Sequence, residues 1–302
     1  MNNGINQDFI SNRKYNNFSF LLIFIYLFIC INISSEHLRK LINLSSEIHL
    51  VINSNGNQSI LNNTFYLEPS EVYVNGIYKH TCKKFCEMDN EINNIKLIFN
   101  KNIESCENMF YGSENISEID FSNFDFSRVK NMTFMLRGCR SLEKINFGNI
   151  DTSSVVNMKG LFYTCEKLST INLSNFDTSL VTNMEGLFYM CSSLKSIDLS
   201  NINATRVKSI RLFFYKCYEL TEINFLNFDT SSVTSLEGMF YLCTKLTTID
   251  LSNLNTKNVE TMRYLFGNCT KLESVDISNF NTSKVKNMAY YMYFFSAFLL
   301  KK

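Results

Sequence analysis

The apolar positions of this chain recur every 26 residues from residue 103 onward. Six consecutive copies of the pattern carry a cysteine at the same place. These cysteines are Cys139, Cys165, Cys191, Cys217, Cys243 and Cys269. A fixed period of this length indicates an array of stacked supersecondary units. The pattern delimits seven full repeats over residues 103–284 and a truncated eighth repeat over residues 285–302.

Each repeat has two halves with different hydrophobic periods. In the copy that begins at Val233, apolar residues recur at steps of three and one as far as Cys243, which is the spacing of one helix face. In the second half, Ile249 and Leu251 alternate with polar residues and predict a short strand with one buried face. We therefore expect one parallel sheet opposite a layer of helices. The expected strand centres are Ile145, Ile171, Ile197, Ile223, Ile249 and Val275.

The spacing Leu-x-x-Ile-x-Leu-x-x-Phe that begins at Leu168 resembles a leucine-rich repeat. The longer phrase from Leu168 to Cys191 is similar to the BspA-like family of leucine-rich-repeat surface proteins. The resemblance implies a secreted or surface-exposed solenoid that acts in adhesion or host contact, and it implies no catalytic residues. The predicted fold class is therefore α/β, a leucine-rich-repeat solenoid of 26-residue strand–helix units with a small β-rich N-terminal cap.

Residues 1–35 predict the compartment. Arg13 and Lys14 precede an apolar run from Phe18 to Ile33. Its core, Phe20–Ile31, is shorter than the roughly 20 residues that a membrane span needs, so we predict a signal peptide, with an uncleaved signal anchor as the alternative. Both place the remainder outside the cytoplasm, secreted or at the cell surface. Membrane contact is expected only through this segment, if it stays uncleaved.

Residues 36–102 lie outside the repeat register and predict a β-rich cap over the open end of the stack. The strand patterns at residues 47–52 and 59–61 flank a turn at Asn55-Gly-Asn and predict a hairpin. Cys82 and Cys86 lie in this cap, and Cys106 follows in the first repeat. A disulfide among these three is expected, and the sequence leaves its pairing open.

Composition excludes several functions. The net charge is +1, which provides no electrostatic footprint for nucleic acid. The three histidines, His37, His49 and His80, all precede the repeats, and no phosphate-binding loop, nucleophile motif or zinc spacing occurs. We therefore expect no enzyme activity, no cofactor, no metal centre and no nucleic-acid partner. The apolar segment from Met288 to Leu300 is interpreted as the truncated eighth repeat, with a hydrophobic anchor as the alternative.

The six repeat cysteines form one predicted column. Neighbouring strands lie about 4.8 Å apart, so disulfides between adjacent repeats are sterically feasible. The equivalent position holds Ser113 in the first repeat and Phe295 in the last, which indicates that volume is what matters there. We therefore expect a structural core column of buried free thiols.

Two polar columns also recur. The first lies between the buried residues of each predicted strand, and we expect it to face a ligand from the concave side of the solenoid, although a merely solvated strand face is the alternative. It consists of Asp120, Asn146, Asn172, Asp198, Asn224, Asp250 and Asp276. The second precedes Ser or Thr in most copies and is explained by turn chemistry alone. It consists of Asp125, Asp151, Asp177, Asn203, Asp229, Asn255 and Asn281.

These patterns predict a non-catalytic protein that binds a protein or glycan at a cell surface through its concave face. Two alternatives remain at this point. The first is a self-associating structural protein of a surface coat. The second is an intracellular scaffold tethered to a membrane by the N-terminal apolar segment.

Overall fold

The computed structural model describes residues 45–292 and 299–301. The predicted signal peptide, residues 1–35, lies outside the described residues, as does Phe295. The described residues from Ser46 onward form one compact unit. The cap strands are β1 (Ser46–Ile52), β2 (Gly56–Ser59), β3 (Glu71–Val74), β4 (Ile77–Tyr78), β5 (Phe85–Met88) and β6 (Asn93–Phe99). The later strands are β7 (Ile116–Asp120), β8 (Lys144–Asn146), β9 (Ser196–Asp198), β10 (Glu222–Asn224), β11 (Thr248–Asp250), β12 (Ser274–Asp276) and β13 (Leu299–Lys301).

The cap joins the repeats through strand β1. This strand pairs antiparallel with β6 on one side and with β7, the first repeat strand, on the other. The resulting six-stranded sheet has the order β4-β3-β6-β1-β7-β8. The predicted hairpin of residues 47–52 with 59–61 is wrong, because both edges of β1 are occupied and β2 pairs with β5 instead. Strand β1 thus covers an edge of the first repeat that would otherwise expose unpaired main-chain groups.

Cys82 and Cys86 form the disulfide of the cap, whereas Cys106 is a buried free thiol. The bridge closes a short loop between β4 and β5. The disulfide expected from the sequence is therefore local to the cap.

The repeat strands are short and parallel, and partners from β7 to β12 are 26 residues apart, as in the pairs Ile119 with Ile145, Ile197 with Ile223 and Ile249 with Val275. Strand β13 pairs with β12 one residue out of this register. They occur at the predicted centres except at Ile171, where the chain forms no strand. The repeat strands divide among three sheets, β7-β8, β9-β10 and β11-β12-β13, and the first of these belongs to the cap sheet. The missing strand at Ile171 separates the first two sheets, whereas β10 and β11 are both formed but do not pair.

The predicted α/β leucine-rich-repeat solenoid is wrong, because no α-helix occurs within residues 45–292 or 299–301. The segment expected to be helical is a series of tight turns. Leu187 N–H bonds to Met184 O, three residues back, while Phe188 N–H bonds to Phe213 O of the next repeat at 2.9 Å. Gly186 and Met190 have φ values of 60° and 54°. An α-helix cannot pass through residues in the left-handed region.

These turns explain why the spacing of apolar residues in the sequence matches that of a helix face. Each turn advances the chain by two or three residues and returns side chains to the same side. Met184, Leu187, Phe188 and Cys191 are all buried as a result. Their spacing of three, one and three matches one face of a helix, although the main-chain bonds run between repeats. Equivalent residues of neighbouring repeats are also linked by isolated parallel β-bridges, for example between Asn157 and Asn183.

The core is built from columns of equivalent residues. The rings of Phe162, Phe188 and Phe214 stack nearly parallel, with centroids 5.4 and 5.5 Å apart. The six repeat cysteines are free and fully buried. Each thiol donates to a carbonyl oxygen 29 residues earlier, as Cys191 does to Phe162 O at 3.1 Å. The column therefore combines small volume with a weak donor.

A buried threonine column connects neighbouring repeats. Thr178 Oγ1 donates to Asn203 O at 3.0 Å and accepts from Asn203 N–H at 2.8 Å. Thr152, Thr230 and Thr256 donate in the same way to a carbonyl 25 residues later. The corresponding residue between Thr178 and Thr230 is Ala204, which is also buried and has no hydroxyl to offer.

We expect Ala204→Thr to stabilise the protein by about 0.5–1.5 kcal/mol, because it restores the missing bond to Asp229 O at a position where four other repeats accommodate threonine. Urea unfolding of the native chain and the variant measures the gain. Thr178→Ala serves as the reciprocal control and should cost about 1–3 kcal/mol by leaving Asn203 main-chain groups unpaired. Equal or lower stability of Ala204→Thr would show that the column does not hold the repeats together.

The cysteine column predicts alkaline instability. Burial raises the pKa of all seven free thiols in residues 45–292, for Cys269 to about 12, from an ordinary value of 9.0. As the pH rises, the thiols of the unfolded chain lose their protons before those of the folded chain. Their contribution to the free energy of unfolding is therefore fully present below about pH 9 and is lost as the pH rises toward the folded pKa. Each thiol contributes a slope of up to about 1.4 kcal/mol per pH unit.

Urea unfolding at a series of pH values tests this slope. Cys191→Ser keeps a donor but cannot titrate in this range, and Ser113 already occupies the equivalent position in the first repeat. The free energy of unfolding of the variant should therefore fall less steeply with pH, and the difference in slope should correspond to one titrating thiol. If the free energies of unfolding of the native chain and the variant fall with pH at the same slope, the predicted contribution of Cys191 to the pH dependence is wrong.

Candidate binding face

The outward side chains of the repeat strands form one surface, here called the strand face. It contains two columns that flank the inward isoleucines. The turn column is the predicted ligand-facing series Asp120, Asn146, Asn172, Asp198, Asn224, Asp250 and Asp276. The variable column lies two residues earlier and consists of Glu118, Lys144, Thr170, Ser196, Glu222, Thr248 and Ser274. All of these side chains are exposed or half-buried.

The turn column has a structural task that explains its composition. In every repeat the side-chain Oδ1 accepts the N–H of the residue two positions later, as Asp198 does from Ser200 at 2.9 Å. Asp and Asn form this turn most strongly, whereas Ser and Thr hydroxyls form it more weakly, as Ser209 does with Arg211 N–H. The Ser200 N–H bond also holds the pKa of the Asp198 carboxyl below its ordinary value. The restriction to Asp and Asn therefore does not by itself indicate a ligand.

The second polar column, which the sequence analysis assigned to turns, makes the same bond. Asp177 Oδ1 accepts Ser179 N–H at 2.9 Å, and this bond lowers the pKa of the carboxyl. The two columns thus share one signal, an Asp or Asn followed two residues later by a main-chain donor. Sequence reasoning separated them by their expected place on the strand and missed the turn at the first column.

The variable column is where the strand face differs from repeat to repeat. Its members are acidic, basic or hydroxyl-bearing, and no turn requires any of them. Lys144 Nζ pairs with a Glu118 oxygen at 2.6 Å, so the charges of the first two members of the column neutralise each other. Ser196, Thr248 and Ser274 present small hydroxyl side chains over the middle and later repeats. Chemistry that changes along a regular scaffold is what a specific binding surface requires.

Two shallow depressions occur on this face. One has a volume of about 410 Å³ and lies where the cap meets the repeats. Its walls include His49, Asn94, Glu118, Asp120 and Lys144. The other has a volume of about 380 Å³ and lies over the later repeats. Its walls include Thr221, Glu222, Thr248, Asp250, Ser274 and Asp276.

The cap extends the strand face, which the sequence analysis did not foresee. His49 on β1 lies opposite Lys96 on β6 and opposite Asp120 on β7. Lys96 Nζ lies 4.5 Å from the centroid of the Tyr73 ring on β3. The signal in the sequence is the alternation of polar and buried residues in β1 and β6, but its meaning depends on a strand pairing that only the structure shows.

The opposite side of the repeats is closed by its own contacts. Tyr163, Tyr189 and Tyr215 stack with centroids 4.0 and 4.7 Å apart, so their ring faces contact one another. Beside them, Glu185 and Arg211 belong to a series of alternating charges, and Arg211 pairs with Glu185 at 3.6 Å and with Glu237 at 3.3 Å. These groups are occupied in joining repeats.

Within residues 45–292 and 299–301, no group of three His, Cys, Asp or Glu side chains could hold a metal ion. In the same part of the chain, no helix has the length and hydropathy needed to cross a membrane.

The fold and the strand face define a protein of stacked parallel turns with a β-rich cap. A family model described as "Mycoplasma protein of unknown function, DUF285" matches residues 78–170, 104–223 and 213–300. These overlapping matches extend over well more than half of the chain, so the protein belongs to this family. No curated protein and no solved structure matches the chain.

The turn at Asp198 generates a prediction. Asp198→Asn keeps the acceptor for Ser200 N–H and should change the free energy of unfolding little, since Asn fills this column in three other repeats. Asp198→Ala removes the acceptor and should cost about 1 kcal/mol. Because the folded pKa is lowered, the carboxylate stabilises the native chain above its ordinary pKa and loses this effect as the pH falls through the lowered value.

Urea unfolding at pH 7 and at acidic pH distinguishes the two variants. The stability gap between native and Asp198→Ala should narrow in acid, whereas Asp198→Asn should track the native chain at neutral pH. Equal stability of Asp198→Ala and the native chain at pH 7 would contradict the turn role.

Proposed function

We propose that this protein is a non-catalytic recognition protein that binds an extended partner at a cell surface through the strand face. The variable column carries the proposal, because it places different polar side chains at regular intervals along the repeats, and no turn fixes their identity, although Glu118 and Lys144 pair with each other. Solenoid-like stacks characteristically use such extended surfaces for binding. The leader pattern of residues 1–35 supports a location outside the cytoplasm.

The composition of the face favours binding over chemistry. Its side chains are carboxylates, amides, hydroxyls and a few cations spread over shallow depressions. Catalytic groups require convergent geometry in a pocket that excludes water, whereas polar groups on an open surface suit partner recognition. Parallel columns also favour a partner that lies along the stack and contacts several repeats.

The proposal predicts that Ser196→Lys, Thr248→Lys and Ser274→Lys together reduce attachment of the purified full chain to cultured animal cells by at least about tenfold. The fold should persist, because Lys144 occupies the same column in another repeat and the three native side chains point outward. Flow cytometry with fluorescently labelled protein measures attachment, and circular dichroism with thermal melting monitors folding.

A matched control places the same charge on another surface. Val156→Lys, Thr182→Lys and Thr234→Lys alter a column that naturally contains Lys130, Lys208 and Lys286, and this triple variant should attach like the native chain. Native protein that fails to attach, or equal attachment by both triple variants, would contradict the proposed role of the strand face.

A further inference from the structure

The side of the repeats opposite the strand face carries a column of tyrosines with one exception. This tyrosine column consists of Tyr111, Arg137, Tyr163, Tyr189, Tyr215 and Tyr241. In the later repeats the rings stack on one another, as Tyr189 does on Tyr215 with centroids 4.7 Å apart. We infer that Arg137, which interrupts the column, is the centre of a binding site for a phosphate or sulfate group. This inference goes beyond the proposed function, because the site does not lie on the strand face.

Aromatic rings hold the Arg137 guanidinium in place. Its Cζ lies 5.0 Å from the ring centroid of Tyr111 in the preceding repeat and 4.7 Å from that of Tyr163 in the following repeat. Phe134, in the same turn segment, contributes a third ring at 4.8 Å. A guanidinium held by aromatic rings keeps its N–H donors in its own plane, where they match the oxygens of a phosphate or sulfate group. Because the rings order the side chain beforehand, anion binding costs little additional entropy.

The donors of this guanidinium have no acceptor in the part of the chain that the structure describes. There, the Arg137 side chain contacts the three rings but donates no hydrogen bond and forms no ion pair. Its nitrogens are not buried, so a ligand can reach them. Arg140, three residues later, is by contrast neutralised by Glu114 at 3.3 Å and by Glu166 at 3.1 Å. Arg137 is thus a half-buried cation whose hydrogen-bond donors are available to an anion.

The column next to the tyrosines also changes at Arg137. It is formed by the residue that follows each position of the tyrosine column, and every member has a φ in the left-handed region. The members are Gly112, Gly138, Thr164, Met190, Lys216 and Leu242. Lys216 shows what a side chain does here, because its Nζ lies 5.6 Å from the ring centroid of Tyr215. Side chains of this column can therefore cover the neighbouring member of the tyrosine column.

Glycine at the first two of these positions leaves a notch beside Arg137. A Cβ added to Gly112 would have no atom within 4 Å, so packing does not require glycine there. A Cβ added to Gly138 would lie 3.4 Å from Gly112 main-chain atoms and 4.0 Å from Thr164 Oγ1. The Tyr111 side chain next to the notch is 38% exposed. An anion that enters the notch therefore approaches the guanidinium without displacing another side chain of this column.

Isothermal titration calorimetry of the full chain tests the site, in a low-salt buffer without phosphate or sulfate. The probes are sodium phosphate, sodium sulfate and a sulfated hexasaccharide, and the desulfated hexasaccharide is the neutral counterpart. The native chain should bind at least one of the three anionic probes and should not bind the neutral hexasaccharide. Sodium chloride should weaken the binding, because salt screens the attraction between charges that are accessible to solvent.

Arg137→Tyr separates anion binding from ring stacking. It should weaken binding at least about tenfold, because the charged donors are lost. Its melting temperature should stay close to that of the native chain, since tyrosine fills the other five positions of the column. Arg137→Lys keeps the charge but loses the paired donors and should bind more weakly than the native chain. Arg206→Gln removes the same charge from an exposed arginine elsewhere and should bind like the native chain.

Gly138→Met tests the notch while Arg137 stays in place. Met190 occupies the equivalent position of a later repeat with a φ of 54°, so the backbone of this column accommodates methionine. The added side chain should obstruct the guanidinium and weaken anion binding at least about tenfold. Circular dichroism establishes that each variant is folded before its binding is compared.

Binding of inorganic phosphate or sulfate that is lost in Arg137→Tyr would support the site and show that the free ion suffices. Binding of the sulfated hexasaccharide alone, with the same loss, would support it and assign the group to a glycan. Equal binding by the native chain and Arg137→Tyr would overturn the inference and leave Arg137 a purely structural role. An equal loss in Arg206→Gln, or no binding of any anionic probe by the native chain, would overturn it as well.

Discussion

The structure of the repeats depends on one interaction, the hydrogen bond from a main-chain N–H to the carbonyl 25 residues later. It recurs from Cys106 N–H to Asn131 O at 2.8 Å through to Phe266 N–H to Tyr291 O at 3.0 Å. Because donor and acceptor belong to different repeats, no repeat satisfies its own main chain. A buried polar group without a partner is costly, so stacking in one register is obligatory. The phenylalanine, cysteine and threonine columns follow from that register.

This bonding pattern demands an unusual backbone. Each full repeat passes through the left-handed region twice in its turn segment, and glycine fills some of these positions, such as Gly160 with φ of 57°. Phe134 and Leu212 occupy the equivalent position in other repeats with φ of 53° and 56°. Such residues cost about 1–2 kcal/mol each. The Phe134 ring contributes in return, because it lies over Gly160, where an added Cβ would be 2.4 Å from the ring, and stacks with the Arg137 guanidinium.

Much of this arrangement could be predicted from the sequence, and the failures have physical causes. The period, most strand centres and the turn at Asp177 follow from local patterns. The helix predicted for the first half of each repeat, as from Val233 to Cys243, was wrong, because side-chain spacing cannot distinguish an intrahelical bond from a bond to the next repeat. The strands that pair with β1 could not be predicted either, since β6 and β7 come from distant segments and pairing depends on the whole cap. The turn at Asp198 was visible in Asp-Leu-Ser, but the residue was interpreted only as an outward strand residue that faces a ligand or solvent.

The covering of the first repeat by β1 has a consequence for how such proteins diversify. One end of the stack is closed by a strand of opposite direction, while the later interfaces share the same main-chain bonds between turn segments. Genetic duplication or loss of a whole repeat would leave the cap junction and all remaining interfaces intact, whereas a gain of any other length would shift every column beyond it. The length of the strand face can therefore change only in steps of one whole repeat, and each added repeat contributes one more member of the variable column to that face.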